Sequence, residues 1–326
     1  MKIKKLLTTG LSLAMAMTMV ACGNSSSGSD AKKAYNVGIV QLVQHPALDA
    51  ATQGFQDALV EKLGEDGVKF DVQNASGEAP NCTTIVNGFV SNNVDLIMAN
   101  ATSPLQAAAA ATDSIPVLGT SVTDYATALE IKDWTGTVGN NISGTSDLAP
   151  LNEQAASLAE LFPVESYKTV GLLYCSAEAN SVYQVTEVAK YLEELGYKTE
   201  KFGFTDTNDV NSVTEDAASK CDVIYIPTDN TAAANTEAIA NVVLAAKVPV
   251  YCGEEGICSG CGIATLSISY YDLGYTTGEM AYDILVNGAD VSTMPVKFAP
   301  QVTKKYNKAN AEKLGIKIPE EYVAIE

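Results

Sequence analysis

The chain contains no arginine; all 20 of its basic residues are lysines. An anion bound here must be held by lysine, hydroxyls or backbone N–H groups, never by a bidentate guanidinium. Histidine is almost as scarce, with His45 the only one in 326 residues. Three motifs are missing as well. No "GxSxG" elbow, no "GxxxxGK" phosphate loop and no "GxGxxG" after the first apolar run occurs. Serine hydrolase, P-loop nucleotidase and dinucleotide-dependent chemistry therefore lack their signatures. The adjacent acids Glu254 and Glu255 are an expected coincidence in a chain with 39 acids. Neither catalysis nor a cofactor is expected.

What is present begins with a leader. Lys2, Lys4 and Lys5 precede an apolar run from Leu6 to Val20, too short to span a membrane. The run ends in "MVAC" followed by "GNSSSGSD". Small residues before a single cysteine resemble a bacterial lipobox, with Met19 where leucine is more usual. Residues 1–21 are read as a signal peptide, Cys22 as the lipidated first residue, and 22–34 as a flexible tether. Plain secretion is the alternative. Losing residues 1–21 takes the charged groups from 20 basic and 39 acidic to 17 and 39, a net charge of −22. So acidic a surface argues against nucleic acid as a partner.

Six cysteines follow the tether: Cys82, Cys175, Cys221, Cys252, Cys258 and Cys261. The "CSGC" at 258–261 has the spacing of a zinc half-site, but the only histidine is about 210 residues away, so no metal is expected. A local disulfide or free thiols remain open.

Short apolar runs alternate with amphipathic stretches from residue 35 onward. "YNVGIVQLV" reads as a strand, and "PALDAATQGFQDALVEKLGE" as a helix with Pro46 in its first turn and Gly64 near its end. "SPLQAAAAATD" reads as a helix with Ser103 as N-cap and Pro104 at N1. The pattern then restarts. "YKTVGLLYC" answers "YNVGIVQLV", and "CDVIYIPTDNT" answers "VDLIMANATSP". Val37 aligns with Val170, Asp95 with Asp222 and Pro116 with Pro249, a repeat of about 130 residues. The expectation is α/β: two doubly wound, Rossmann-like lobes joined by a three-segment hinge. Lobe 1 is placed at 35–140 plus about 269–294, and lobe 2 at 141–268 plus about 295–326.

Ligands of open parallel sheets bind beyond the carboxyl ends of the strands. The residues there form the candidate site. In lobe 1 they are His45, Thr102, Ser103 and Asp124, with Asn140 in the Gly/Asn/Ser-rich stretch 137–150. In lobe 2 they are Glu178, Asn180, Ser181, Asp229, Asn230 and Glu254. Helix capping is the competing role for Ser103, Asp229 and Asn230.

Longer segments carry a resemblance. "HPALDAATQGF", "GTSDLAP", "EANSVYQV", "YIPTDNT" and "DLGYTTGEMA" resemble the tryptophan/tyrosine-type substrate-binding lipoproteins of ABC importers, from about Val37 to "KLGIKIPEE". The resemblance implies the type I periplasmic binding protein fold and an aromatic amino acid as ligand. It further implies a monomer held outside the cell by its lipid, with an ABC permease and ATPase as partners. A sensory protein passing a signal to a membrane receptor is the alternative. Two departures stand out. "SISY" has Ser269 where the family carries an acid suited to an ammonium group, and "GICSGCG" adds two cysteines. With that acid missing, the ammonium is expected on Asp229 or Glu254, and the ligand's carboxylate on the helix start at Ser103.

Replacing Cys22→Ser is expected to move the protein from the membrane to the soluble fraction. Equal partition of wild type and variant refutes lipidation.

Overall fold

The computed structural model describes residues 34–299 and 301–325; the leader, Cys22 and most of the tether lie outside them. The first five strands are β1 (Tyr35–Gln41), β2 (Val68–Asn74), β3 (Leu96–Asn100), β4 (Val117–Val122) and β5 (Ile142–Ser146). The next five are β6 (Thr169–Cys175), β7 (Lys198–Phe204), β8 (Val223–Ile226), β9 (Val250–Cys252) and β10 (Ala264–Ser267). Short strands β11 (Lys297–Phe298), β12 (Thr303–Tyr306) and β13 (Val323–Ala324) complete the set.

They form two sheets, ordered β11-β5-β4-β3-β1-β2 and β13-β12-β10-β9-β8-β6-β7. All pairings are parallel except β10 with β12. The central strands are buried along their whole length, as expected of parallel strands covered by helices on both faces. The chain crosses between sheets three times: after Ser146, between Ser267 and Tyr270, and between Phe298 and Thr303.

The lobe limits differ from the sequence expectation. β5 and β11 both lie in the first sheet, so that lobe takes in 142–146 and 297–298. By its Gly, Asn and Ser content, 137–150 reads as a hinge strand between the lobes. The stretch nevertheless pairs with β4, because Gly144 (φ 146°) lets the strand pass close to Gly119 and the Tyr125 hydroxyl.

The repeat has a physical counterpart. Asp95 Oδ2 accepts from the backbone N–H of Asn36 at 2.7 Å, and Asp222 Oδ2 from those of Lys168 and Thr169 at 2.9 Å each. Each carboxylate pins the start of its lobe's first strand.

One helix contact sets the first lobe's rigidity. The helices Pro46–Leu63 and Tyr270–Leu285 meet at glycines. A Cβ at Gly54 would land on the carbonyl oxygen of Tyr271, and one at Gly274 on that of Ala51. A Cβ at Gly278 would press on Ala58 and the Phe55 carbonyl. Only hydrogen lets the backbones approach this far. Gly274→Ala is therefore expected to destabilise the protein by about 1–3 kcal/mol or more. Gly88→Ala, at an exposed helical position with nothing within 4 Å of its Cβ, should stabilise by about 0.5–1 kcal/mol. Urea midpoints of both variants check the pair.

Candidate functional site

The carboxyl ends of both sheets face one narrow cavity of about 10 Å³ between the lobes, lined by His45, Ser121 and Asp147 of the first lobe and its exit, with Asn180, Asp229 and Asn230 of the second. Glu254 and Tyr270 also line it.

The lobes touch across this region through neutral groups. His45 Nε2 lies 3.2 Å from Asn230 Oδ1, and Thr123 Oγ1 lies 3.4 Å from Thr228 Oγ1. Gln184 Nε2 donates to both threonine hydroxyls, at 3.2 and 2.6 Å. The structure is thus a closed form, with side chains of each lobe bonded to the other.

Four carboxyl groups are buried here, and each has a distinct set of partners. Glu178 receives the backbone N–H and the side-chain amide of Asn230, at 3.1 and 2.7 Å. It also receives the N–H and hydroxyl of Thr231, at 2.9 and 2.8 Å. Asp229 accepts from Cys175 N at 2.6 Å and caps the helix Asn230–Ala234 through Ala232 N at 2.8 Å. Glu254 caps the helix Glu255–Cys261 through Gly256 N at 2.6 Å and through Ile257 N. Asp147 accepts the Tyr270 hydroxyl on Oδ2 at 2.7 Å, but its Oδ1 is buried without a partner. Burial pushes the Asp147, Asp229 and Glu254 carboxyls upward, Glu254 to about 7. The Glu178 charge adds to the rise at Asp229. Backbone donors oppose the shift at Asp229 and Glu254 without cancelling it.

Two further buried polar atoms on cavity residues lack a partner: His45 Nδ1 and Ser121 Oγ. Ser121 has φ 54° where the register of β4 slips between Gly119 and Val122. Such an irregularity at a strand end re-aims a side chain. His45 precedes the helix Pro46–Leu63, which is anchored from behind. Asn100 Nδ2 donates to the Leu48 carbonyl at 2.8 Å and to Thr52 Oγ1 at 3.0 Å, and Thr52 donates to Gln41 at 2.7 Å.

The residues expected from sequence divide into groups. His45, Asn180, Asp229, Asn230 and Glu254 line the cavity. Ser181 is buried behind it, with Asn180 Nδ2 donating to its hydroxyl at 3.3 Å. Glu178 and Ser103 line a separate opening between the lobes, with Ser76, Glu78 and Asp206. Thr102 is buried and Asp124 caps the short helix Tyr125–Ala128 through Thr127 N at 2.7 Å; neither lines the cavity. Asn140 stands exposed in a left-handed turn (φ 51°) and is not part of it. Ser103 is not an N-cap either. The helix Thr102–Ala111 starts two residues earlier, from Ala101 at φ 101°, and leaves Pro104 inside the first turn.

The acid that sequence reasoning missed is Asp147. It lies in the quoted "GTSDLAP", within a stretch that reads from its composition as a hinge strand between the lobes and not as part of the site. Ser269 is exposed and caps the helix Tyr270–Leu285 through Asp272 N at 3.2 Å. It does not line that cavity but an adjoining opening, which shares Ala47, Glu254 and Tyr270 with it and also holds Lys305. Asp229 and Glu254 have both oxygens engaged by backbone N–H groups and are poorer ammonium partners than Asp147.

All six cysteines among the described residues are free and buried. Among those residues no cluster of three or more His, Cys, Asp or Glu could hold a metal, and no helix is long and apolar enough to cross a membrane.

A carboxyl whose pKa is raised by folding stabilises the fold below its unfolded value of about 4.3 and loses that contribution as pH rises through its folded value. For Glu254 that folded value is about 7. The ligand-free protein should therefore lose stability between about pH 4.5 and pH 7, by on the order of 4 kcal/mol from Glu254 at most. Glu254→Gln should flatten this slope. Melting temperatures across the range test it, and equal slopes in wild type and variant refute it.

Comparison with known proteins agrees with this geometry. Residues 36–325 match the family model described as ABC transporter substrate binding protein. A tyrosine-binding protein of Clostridioides difficile (strain R20291) is 37% identical over 275 residues, 84% of this chain and 79% of that protein. The crystal structure of an ABC domain in complex with L-Trp from Streptococcus pneumoniae superposes with a TM-score of 0.83 at 34% identity, covering 89% of this chain and all of that one. The ligand-free, open structure of a substrate binding protein with adhesive properties from Clostridium difficile gives a TM-score of 0.68 at 37% identity, covering 90% and 99%. The lower score against the open form accords with the closed cleft seen here. With two doubly wound lobes, three crossings and a buried cavity between them, the chain belongs to the ABC transporter substrate-binding protein family.

Proposed function

We propose that this protein captures a single aromatic amino acid between its lobes and presents it to an ABC permease and its ATPase, while Cys22 carries a lipid that holds it at the outer face of the cell membrane. The observation that carries the ligand reading is Asp147. Its Oδ1 is buried, unpartnered and on the cavity wall, and no lysine lines that cavity. A buried carboxylate without a cation is costly, and a ligand ammonium supplies the missing charge. The ligand's own carboxylate then meets neutral donors, Ser121 Oγ among them, in keeping with a chain that has no arginine. The aromatic part of the reading draws on the relatives: one named for tyrosine, one solved with L-Trp. Binding between lobes favours the closed form because the ligand touches both.

Calorimetry of the protein against amino acids, nucleosides and sugars tests this. An aromatic amino acid should bind, and Asp147→Asn should weaken it by about 2–4 kcal/mol. Ser269→Ala should cost about 1 kcal/mol of stability through its lost cap and leave affinity unchanged. Binding of a sugar or nucleoside with no response to any amino acid overturns the assignment.

A further inference from the structure

His45 is held in one tautomer by a chain of hydrogen bonds that starts at Glu178. Both Glu178 oxygens receive only donors, and a carboxylate can only accept. The Asn230 atom 2.7 Å from Glu178 Oε2 is therefore the amide nitrogen. That turns the Asn230 carbonyl oxygen toward His45, 3.2 Å from Nε2. An amide oxygen cannot donate, so Nε2 carries the hydrogen. Burial lowers the imidazole's pKa against the opposing pull of Asn230, Glu178 and Asp49, which keeps the ring neutral. Nδ1 is then a bare lone pair. It is buried and unpartnered on a residue only 6% exposed that lines the cavity.

The cavity thus offers two open acceptors of different character, the Asp147 carboxylate oxygen and the neutral His45 Nδ1. The ammonium goes where the charge is, to Asp147. We infer that His45 Nδ1 accepts a hydrogen bond from the ligand's aromatic group, an indole N–H or a phenol O–H, so that the site selects donor-bearing aromatic amino acids over phenylalanine. This rests on the amino-acid reading above and narrows it. A ligand without the donor fills the same space but strands the buried nitrogen, and sites built around a ligand N–H or O–H reject such analogues strongly. Asn230 and Glu178 act as positioning residues: they fix which nitrogen is bare without themselves meeting the aromatic group.

Because the chain has one histidine, selective ¹⁵N-histidine labelling of the full chain reports this ring alone. The spectrum of the free protein should show the Nε2–H tautomer. L-Trp and L-Tyr should shift the Nδ1 resonance in the sense of an accepted hydrogen bond, and L-Phe should not. By calorimetry, wild type should bind L-Trp or L-Tyr at least about tenfold tighter than L-Phe, and His45→Phe should erase most of that ratio. Equal affinity for all three in wild type overturns the inference and leaves the amino-acid reading intact. Equal loss for all three in His45→Phe places the ammonium on His45 and also overturns it. If no amino acid binds, the reading beneath it fails as well. Should His45→Phe not fold, the wild-type spectrum decides alone: an Nδ1–H tautomer, or a resonance that moves equally with all three ligands, refutes the inference.

Discussion

Four carboxyl groups are buried between the lobes, three on the wall of one cavity that carries no cationic side chain and Glu178 on the neighbouring opening, and much of the site follows from how that charge is managed. Three of them, Glu178, Asp229 and Glu254, are answered by backbone and amide donors at the starts of helices. Those bonds hold the ends of β6, β8 and β9 in place, so the second lobe's half of the site is built from its acids outward. Asp147 alone keeps an oxygen free. No lysine lines that wall to neutralise it, and this makes the cavity a place for a ligand that brings its own positive charge.

The same bonds explain why the cleft is neutral where the lobes meet. Asn230, Thr228 and Gln184 span it with amides and hydroxyls. Each such bond is worth about 1 kcal/mol net. Contacts of that size can close the lobes without locking them shut, which suits a protein that must release what it captures.

Much of the fold was legible in the sequence. Continuous apolar runs gave the parallel strands, and the repeat of about 130 residues gave two lobes; Asp95 and Asp222, aligned by pattern, have the same task in the structure. The lobe limits were not legible, because β5 is written in Gly, Ser and Thr and its strand character comes from pairing with β4. The cavity was legible only in part. Residues following apolar strands, such as Asp229 and Glu254, announced their position. Asp147 follows β5, whose composition reads as a hinge strand between lobes rather than as part of a sheet, and Ser121 sits in β4 itself, turned inward by a register slip that no local pattern records. Conversely, Asn140 and Ser103 were chosen for polar chemistry at loop positions, which burial alone could sort.

The glycine contacts between the helices Pro46–Leu63 and Tyr270–Leu285 have a consequence for binding cost. His45 immediately precedes the first helix, and Tyr270, which orients Asp147, begins the second. With Gly54 and Gly274 seated against opposing backbone, these two ends cannot shift independently. The ring that faces the cavity and the phenol that holds its carboxylate form one preassembled half-template. A ligand arriving at the open cleft meets that half already shaped, and little ordering entropy remains to be lost on the first lobe's side. The remaining cost is the movement of the second lobe, a swing about three crossing segments rather than a remaking of the pocket.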